Sequence, residues 1–164
     1  MTTEAGCAKG VLHRHFADFD TFLAELVLER IARLKDQATA LREASGTGTV
    51  ADNITDALCD LFDPVALGVL ALVSSRHDVL AHLRTTTPKG IPVLTQATAM
   101  IASYLTAERD LGRIARDADI DGIAPMLIGT GHLLFAGREH PPPRAEVRRS
   151  VAAAIAGIVR VPAG

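Results

Sequence analysis

Lys9, Gly10, His13 and Arg14 are the residues whose types and spacing best fit a chemical task. They sit in the run Ala5-Gly6-Cys7-Ala8-Lys9-Gly10-Val11-Leu12-His13-Arg14-His15-Phe16. On a helix, Lys9 and His13 are one turn apart, as are Gly10 and Arg14, so the four share a face. Lysine and arginine bind phosphates or base edges, and a glycine lets the backbone come near a groove floor. Leu12 and Phe16, also four apart, can pin such a helix to its neighbours. Glu4 is the only acid among the first sixteen residues. The chemistry implied is local contact with a polyanion. The whole chain carries a net charge of −2, which excludes a protein that coats nucleic acid with its entire surface.

Other chemically capable residues fit no reactive pattern. Asp117, Asp119, Asp121 and Gly122 resemble the opening of a calcium loop, but the twelfth position, which needs glutamate, is Ile128. The stretch therefore reads as a solvated loop with Asp121 capping the next helix. His77 and His82 are five apart, and His13 and His15 two apart, so neither pair shares a helix face and no metal site is expected. Nucleophile-elbow, phosphate-loop and dinucleotide signatures are absent from the sequence. Gly129-Thr130-Gly131 falls within a helical pattern and reads as close packing. A non-enzyme without a cofactor is expected. Cys7 and Cys59 form no CxxC pair, which points to a reducing, cytoplasmic setting. Neither a long apolar run nor a basic-then-apolar leader is visible, so no membrane partner is expected.

The elements that must position these groups all read as helices. Among the 164 residues, 48% are hydrophobic and 22% charged, and the mean hydropathy is +0.22, enough for a buried core. Phe19, Phe22, Leu23, Leu26, Val27, Ile31, Leu34, Ala38 and Leu41 repeat at three-four spacing and predict a long helix with Asp18 as N-cap. Ser45 to Thr49 is a loop. A second helix is predicted over 50–62, and Asp63-Pro64 starts a third, which is apolar nearly all round and so belongs in the centre. Further helices are predicted over 76–84, 91–107, 122–136 and 144–159, with Pro141-Pro142-Pro143 separating the last two. No alternating strand pattern is present, so the fold class is all-α.

The run from Ala5 to Phe16 resembles the turn and recognition helix of the TetR family of transcriptional regulators. Gly6, Lys9, Gly10, Leu12, His15 and Phe16 match that pattern, and a long helix follows, as it does there. Leu111-Gly112-Arg113-Ile114 and the acid-rich Asp117 to Asp121 also resemble the family, just ahead of its two closing helices. The chain departs from the pattern at Ala8, His13 and Phe19, where the family has serine, tyrosine and lysine. The resemblance implies a TetR-like bundle with a partial N-terminal helix-turn-helix. Residues 1–18 would be the remnant of the DNA-binding head. Residues 19–164 would be the ligand-binding and dimerisation core, with a connecting helix over about 19–44. Met1 to Glu4 is too short to supply the helices that precede the motif in the family, so the head is expected to be truncated.

On this resemblance Lys9, Gly10, His13 and Arg14 would face operator DNA. A small, mostly apolar effector would occupy a pocket drawn from Phe62, Val69, Val73, His77, Met100, Tyr104, Met126 and His132. The 4% aromatic share argues mildly against a pocket for stacked planar ligands. A homodimer seam would use Leu127, Ile128, Gly131, Leu134, Phe135, Val151, Ile155, Ile158 and Val159; an intramolecular core pair would explain the same residues equally well. The expected function is a regulator, in all expectation a repressor. The alternative is a headless ligand-binding and dimerisation module that pairs with full-length relatives.

Overall fold

A computed structural model of the chain describes residues 4–74, 91 and 93–160, with the backbone alone at 4–18, 20, 73 and 74. The chain is all-α, with six helices and no named strand among the described residues. They are α1 (Glu4–Glu43), α2 (Val50–Leu61), α3 (Pro64–Ser74), α4 (Leu94–Asp110), α5 (Ile120–Phe135) and α6 (Arg144–Ile155). The helix expected over 76–84 and the loop over 85–90 lie outside the described residues.

Helix α1 runs unbroken from Glu4 to Glu43. The expected turn at Ala5-Gly6 and the expected cap at Asp18 are both absorbed into it. The physical reason lies in what the stretch lacks. It contains no proline, and two glycines at about 1 kcal/mol each do not outweigh continuous helical hydrogen bonding. Further along, Leu23, Val27, Ile31, Leu34 and Leu41 are buried, which is the three-four stripe anticipated from spacing.

Gly46 and Gly48 hold φ of +82° and +54° and turn the chain into α2. Thr49 caps that helix, its hydroxyl accepting from the Asp52 N–H at 3.0 Å. Asp63 and Pro64 start α3 as expected, with Asp63 Oδ1 accepting from the Ala66 N–H at 2.8 Å. The same carboxylate binds Arg30 Nη2 at 2.6 Å, tying α1 to the start of α3. Burial pushes the Asp63 carboxyl up, but Arg30 and the cap N–H groups outweigh it and leave its pKa below the ordinary value.

Three expectations about the helices need correction. Helix α3 is not buried all round: Ala66, Val69 and Leu70 face the core, while Val65 and Leu72 are exposed. Helix α4 is displaced from the expected 91–107 because Val93 takes a φ of +73°, which no helix can include. Helix α5 is capped by Asp119, not Asp121; Asp119 Oδ1 accepts from Gly122 N at 3.0 Å, and Asp121 occupies the first turn.

The bundle pairs α1 with α4, α2 with α6, α4 with α5 and α5 with α6. After α6, Ile114 and Val159 form an isolated antiparallel bridge, with Ala115 N–H donating to Ile158 O at 2.8 Å and Arg160 N–H to Arg113 O at 2.9 Å. That bridge, rather than more helix, occupies the expected end of α6. No helix among the described residues is long and apolar enough to cross a membrane.

Candidate functional site

Lys9, Gly10, His13 and Arg14 all lie on α1, near its N-terminal end. Their side chains lie outside the described residues. What the fold supplies is their carrier: the helix that bears them continues into the core and packs there against α4.

The expected pocket residues separate into four groups. Val69, Met100 and Tyr104 are buried core. Met126 is 46% exposed on the outer side of α5. The Val73 side chain and His77 lie outside the described residues. Phe62 and His132, by contrast, come together, their ring centroids 5.9 Å apart. Phe135, expected in the dimer seam, stacks on the other part of this cluster, 5.7 Å from Phe62 with the planes inclined by 29°. Beside these two phenyl rings lies a cavity of about 290 Å³. Pro64, Leu67 and Gly68 close one side of it, and Gly137 to Glu139 and Pro141 the other. His132 Nδ1 is buried without a hydrogen-bond partner among the described residues.

Helix spacing also hid a polar cluster that joins distant elements. Tyr104 and Glu108, one turn apart on α4, are both fully buried. Tyr104 donates its hydroxyl proton to Glu108 Oε1 at 2.6 Å and accepts from Asn53 Nδ2 at 2.9 Å. The Gly46 N–H donates to the same Glu108 oxygen at 3.3 Å. Arg113 Nε stands 3.4 Å from Glu108 Oε2, and its Nη2 donates to Gly48 O at 2.6 Å. Burial, then the neighbouring carboxylate, push the Tyr104 phenol well above its ordinary value. Tyr104 and Glu108 are closed to solvent, Asn53 and Arg113 reach the surface, and the cluster fastens the α1–α2 turn onto α4. The signal in the sequence was a Tyr and a Glu at i, i+4 amid apolar positions.

The nine expected seam residues are used within one chain. Leu127, Ile128, Phe135, Val151 and Ile155 are buried core, and Gly131 is buried against α2. Leu134, Ile158 and Val159 are partly buried against the same core. A side chain with almost no accessible surface has nothing left to offer a second copy. Burial within one chain favours the intramolecular alternative for those six, while Leu134, Ile158 and Val159 keep part of their surface. The small residues follow suit. Gly131 meets Phe62 and Leu58 of α2, whereas added Cβ atoms at Gly129 and Gly137 would meet nothing within 4 Å. What α5 turns outward is a different set: Met126 and Leu133, the latter 79% exposed, with Gly129 between them.

These features define an all-helical protein with an extended first helix, a polar clamp centred on buried Tyr104 and Glu108, and a small cavity at the α2–α3–α5 junction. No family model, no curated protein and no solved structure matches the chain.

Proposed function

We propose that the chain is a TetR-like transcriptional regulator, a repressor acting as a homodimer and released from operator DNA by a small, mostly apolar effector. The observation that carries this reading is the unbroken α1, 40 residues from Glu4 to Glu43. At 1.5 Å per residue it is a rod of about 60 Å. Lys9, Gly10, His13 and Arg14 ride on one end, and Leu34 and Leu41 anchor the other in the core. A ligand that alters how the core holds the rod would shift the basic face, and so release DNA by differential affinity for the two arrangements. The outward pair Met126 and Leu133 is the surface we assign to the second copy.

The test is a titration of this chain against random-sequence and operator-enriched duplexes at low salt. Binding below about 1 µM that weakens steeply with added salt and falls in Lys9→Ala and Arg14→Ala is the expected result. No binding at that level leaves the second reading, a ligand-binding and dimerisation module. One specific observation favours that second reading: the motif residues continue straight into the rod, without the turn that a helix-turn-helix requires.

A further inference from the structure

Arg42, in the last turn of α1, and Asp110, the last residue of α4, line one surface cavity of about 400 Å³ together with Ser103, Thr106, Ala107 and Leu111. The two charges do not pair with each other, and neither has another ion partner among the described residues. Arg42 Nη1 donates to Ser103 Oγ at 3.5 Å, a weak contact. Asp110 stands at the C-terminal end of its helix, where the dipole disfavours a negative charge. Glu43 and Arg109, the adjoining charges on each helix, do not line the cavity. We propose that it binds a zwitterionic α-amino acid with an aliphatic side chain. The ligand carboxylate would accept from the Arg42 guanidinium and the Ser103 hydroxyl, and its ammonium would donate to Asp110. A molecule carrying only one of these charges leaves the other protein charge unmatched.

The contacting groups are within a ligand's reach. Arg42, Asp110 and Leu111 are exposed, and Ser103, Thr106 and Ala107 are half-buried. Ser103 also lines a second groove of about 280 Å³, mostly apolar, which runs back along the same α1–α4 seam. Ala99, Ser103 and Ala107 are each one turn apart on α4, and Ala38 is one turn before Arg42 on α1. Short side chains therefore face the seam from both helices and keep it open, with Leu34 and Met100 as its floor. An aliphatic side chain starting beside Ser103 would lie over Ala38 and exposed Ala99. Lys35 at the far rim is exposed, so its ammonium stays in water. The site goes beyond the effector reading above, and only the consequence of binding, a bridge from the rod to α4, rests on that reading.

The test is a titration of the full-length, nitrogen-15-labelled chain followed by backbone amide shifts. The probes are L-leucine, 4-methylpentanoate, which lacks the ammonium, 3-methylbutylamine, which lacks the carboxylate, and L-alanine, which lacks the tail. Saturable leucine binding with a Kd of about 0.2–5 mM is expected, with the moving amides around Ser103, Ala107 and Arg42. Each singly charged analogue should bind about threefold or more weakly, and alanine likewise. Asp110→Asn, which removes an exposed charge that opposes the helix dipole, should keep the melting curve and bring leucine and 4-methylpentanoate to within about twofold of each other. Ala99→Leu, at an exposed position, should bring leucine and alanine together by filling the tail groove. Absence of saturation, shifts confined to other helices, or a leucine preference that survives Asp110→Asn would each overturn the site. Failure of the duplex titration would leave these results untouched, so the two readings fail separately.

Discussion

Gly131 lies directly beneath the ring of Phe62: a Cβ built at position 131 would come within 2.6 Å of Phe62 Cε2 and 3.2 Å of Leu58 Cδ2. Phe62 is buried and stacked on Phe135, so a shift of its ring would disturb that contact. The glycine sets how closely α5 approaches α2, and through that contact where Phe62 stands.

Gly131→Ala should therefore destabilise the fold by about 1–3 kcal/mol, overpacking outweighing the gain in helix propensity. Gly129→Ala, two residues earlier on the same helix, meets nothing within 4 Å and should stabilise by about 0.5–1 kcal/mol. Urea denaturation of the two variants checks the pair, and equal effects would remove the packing argument.

The buried clamp makes a second prediction. Arg113→Met leaves the Glu108 carboxylate buried without its cation and should cost about 2–3 kcal/mol. Replacing both, Arg113→Met with Glu108→Leu, should recover most of that loss, since the buried charge disappears with its partner. A double-mutant cycle by thermal or urea unfolding measures the coupling; simple additivity would show that the ion pair is not the fastening element.

Acid should loosen the contact between α2 and α6. Asp52 is held at about 2, below its ordinary 3.8, chiefly by the hydrogen bond from Arg148 and then by the Thr49 hydroxyl. Arg148 Nε stands 2.8 Å from its Oδ1, and Arg144 bridges Asp52 at 3.3 Å and Asp56 at 2.7 Å. A depressed carboxyl stabilises the fold fully above its unfolded pKa, and that contribution drains away as pH falls through the folded value. Stability should thus decline between about pH 4 and pH 2, and Asp52→Asn should flatten that limb. High salt should blunt the effect, because these groups are partly exposed. Unfolding followed against pH for both proteins is the check.

Leu133 and Met126 make the assembly prediction. If this ridge is the contact between copies, Leu133→Glu should yield a monomer with an unchanged melting profile below the association concentration. Sedimentation equilibrium at tens of micromolar reads the outcome. A monomeric unmodified chain would remove the ridge from the proposal.

Sequence alone determined the helical class, the apolar stripe of α1, the Asp63-Pro64 start and the proline break before α6. Each is a local property: periodicity, a capping side chain, or a missing N–H acts within a few residues, and its effect needs no partner from elsewhere in the chain. The limits of α1 and α4 were less legible. Asp18 has the composition of a cap, yet capping gains nothing where the preceding residues are already helical, and the positive φ at Val93 leaves no mark in residue type. Tertiary structure alone decided which apolar residues of α5 turn inward, because Leu127 and Met126 are equally apolar and only the position of α2, α4 and α6 distinguishes their faces. It likewise decided that Phe62 and Phe135 meet, and that Asn53, Tyr104, Glu108 and Arg113 form one cluster. Those contacts join residues far apart in sequence, and their energy depends on distances that exist only once the helices have packed.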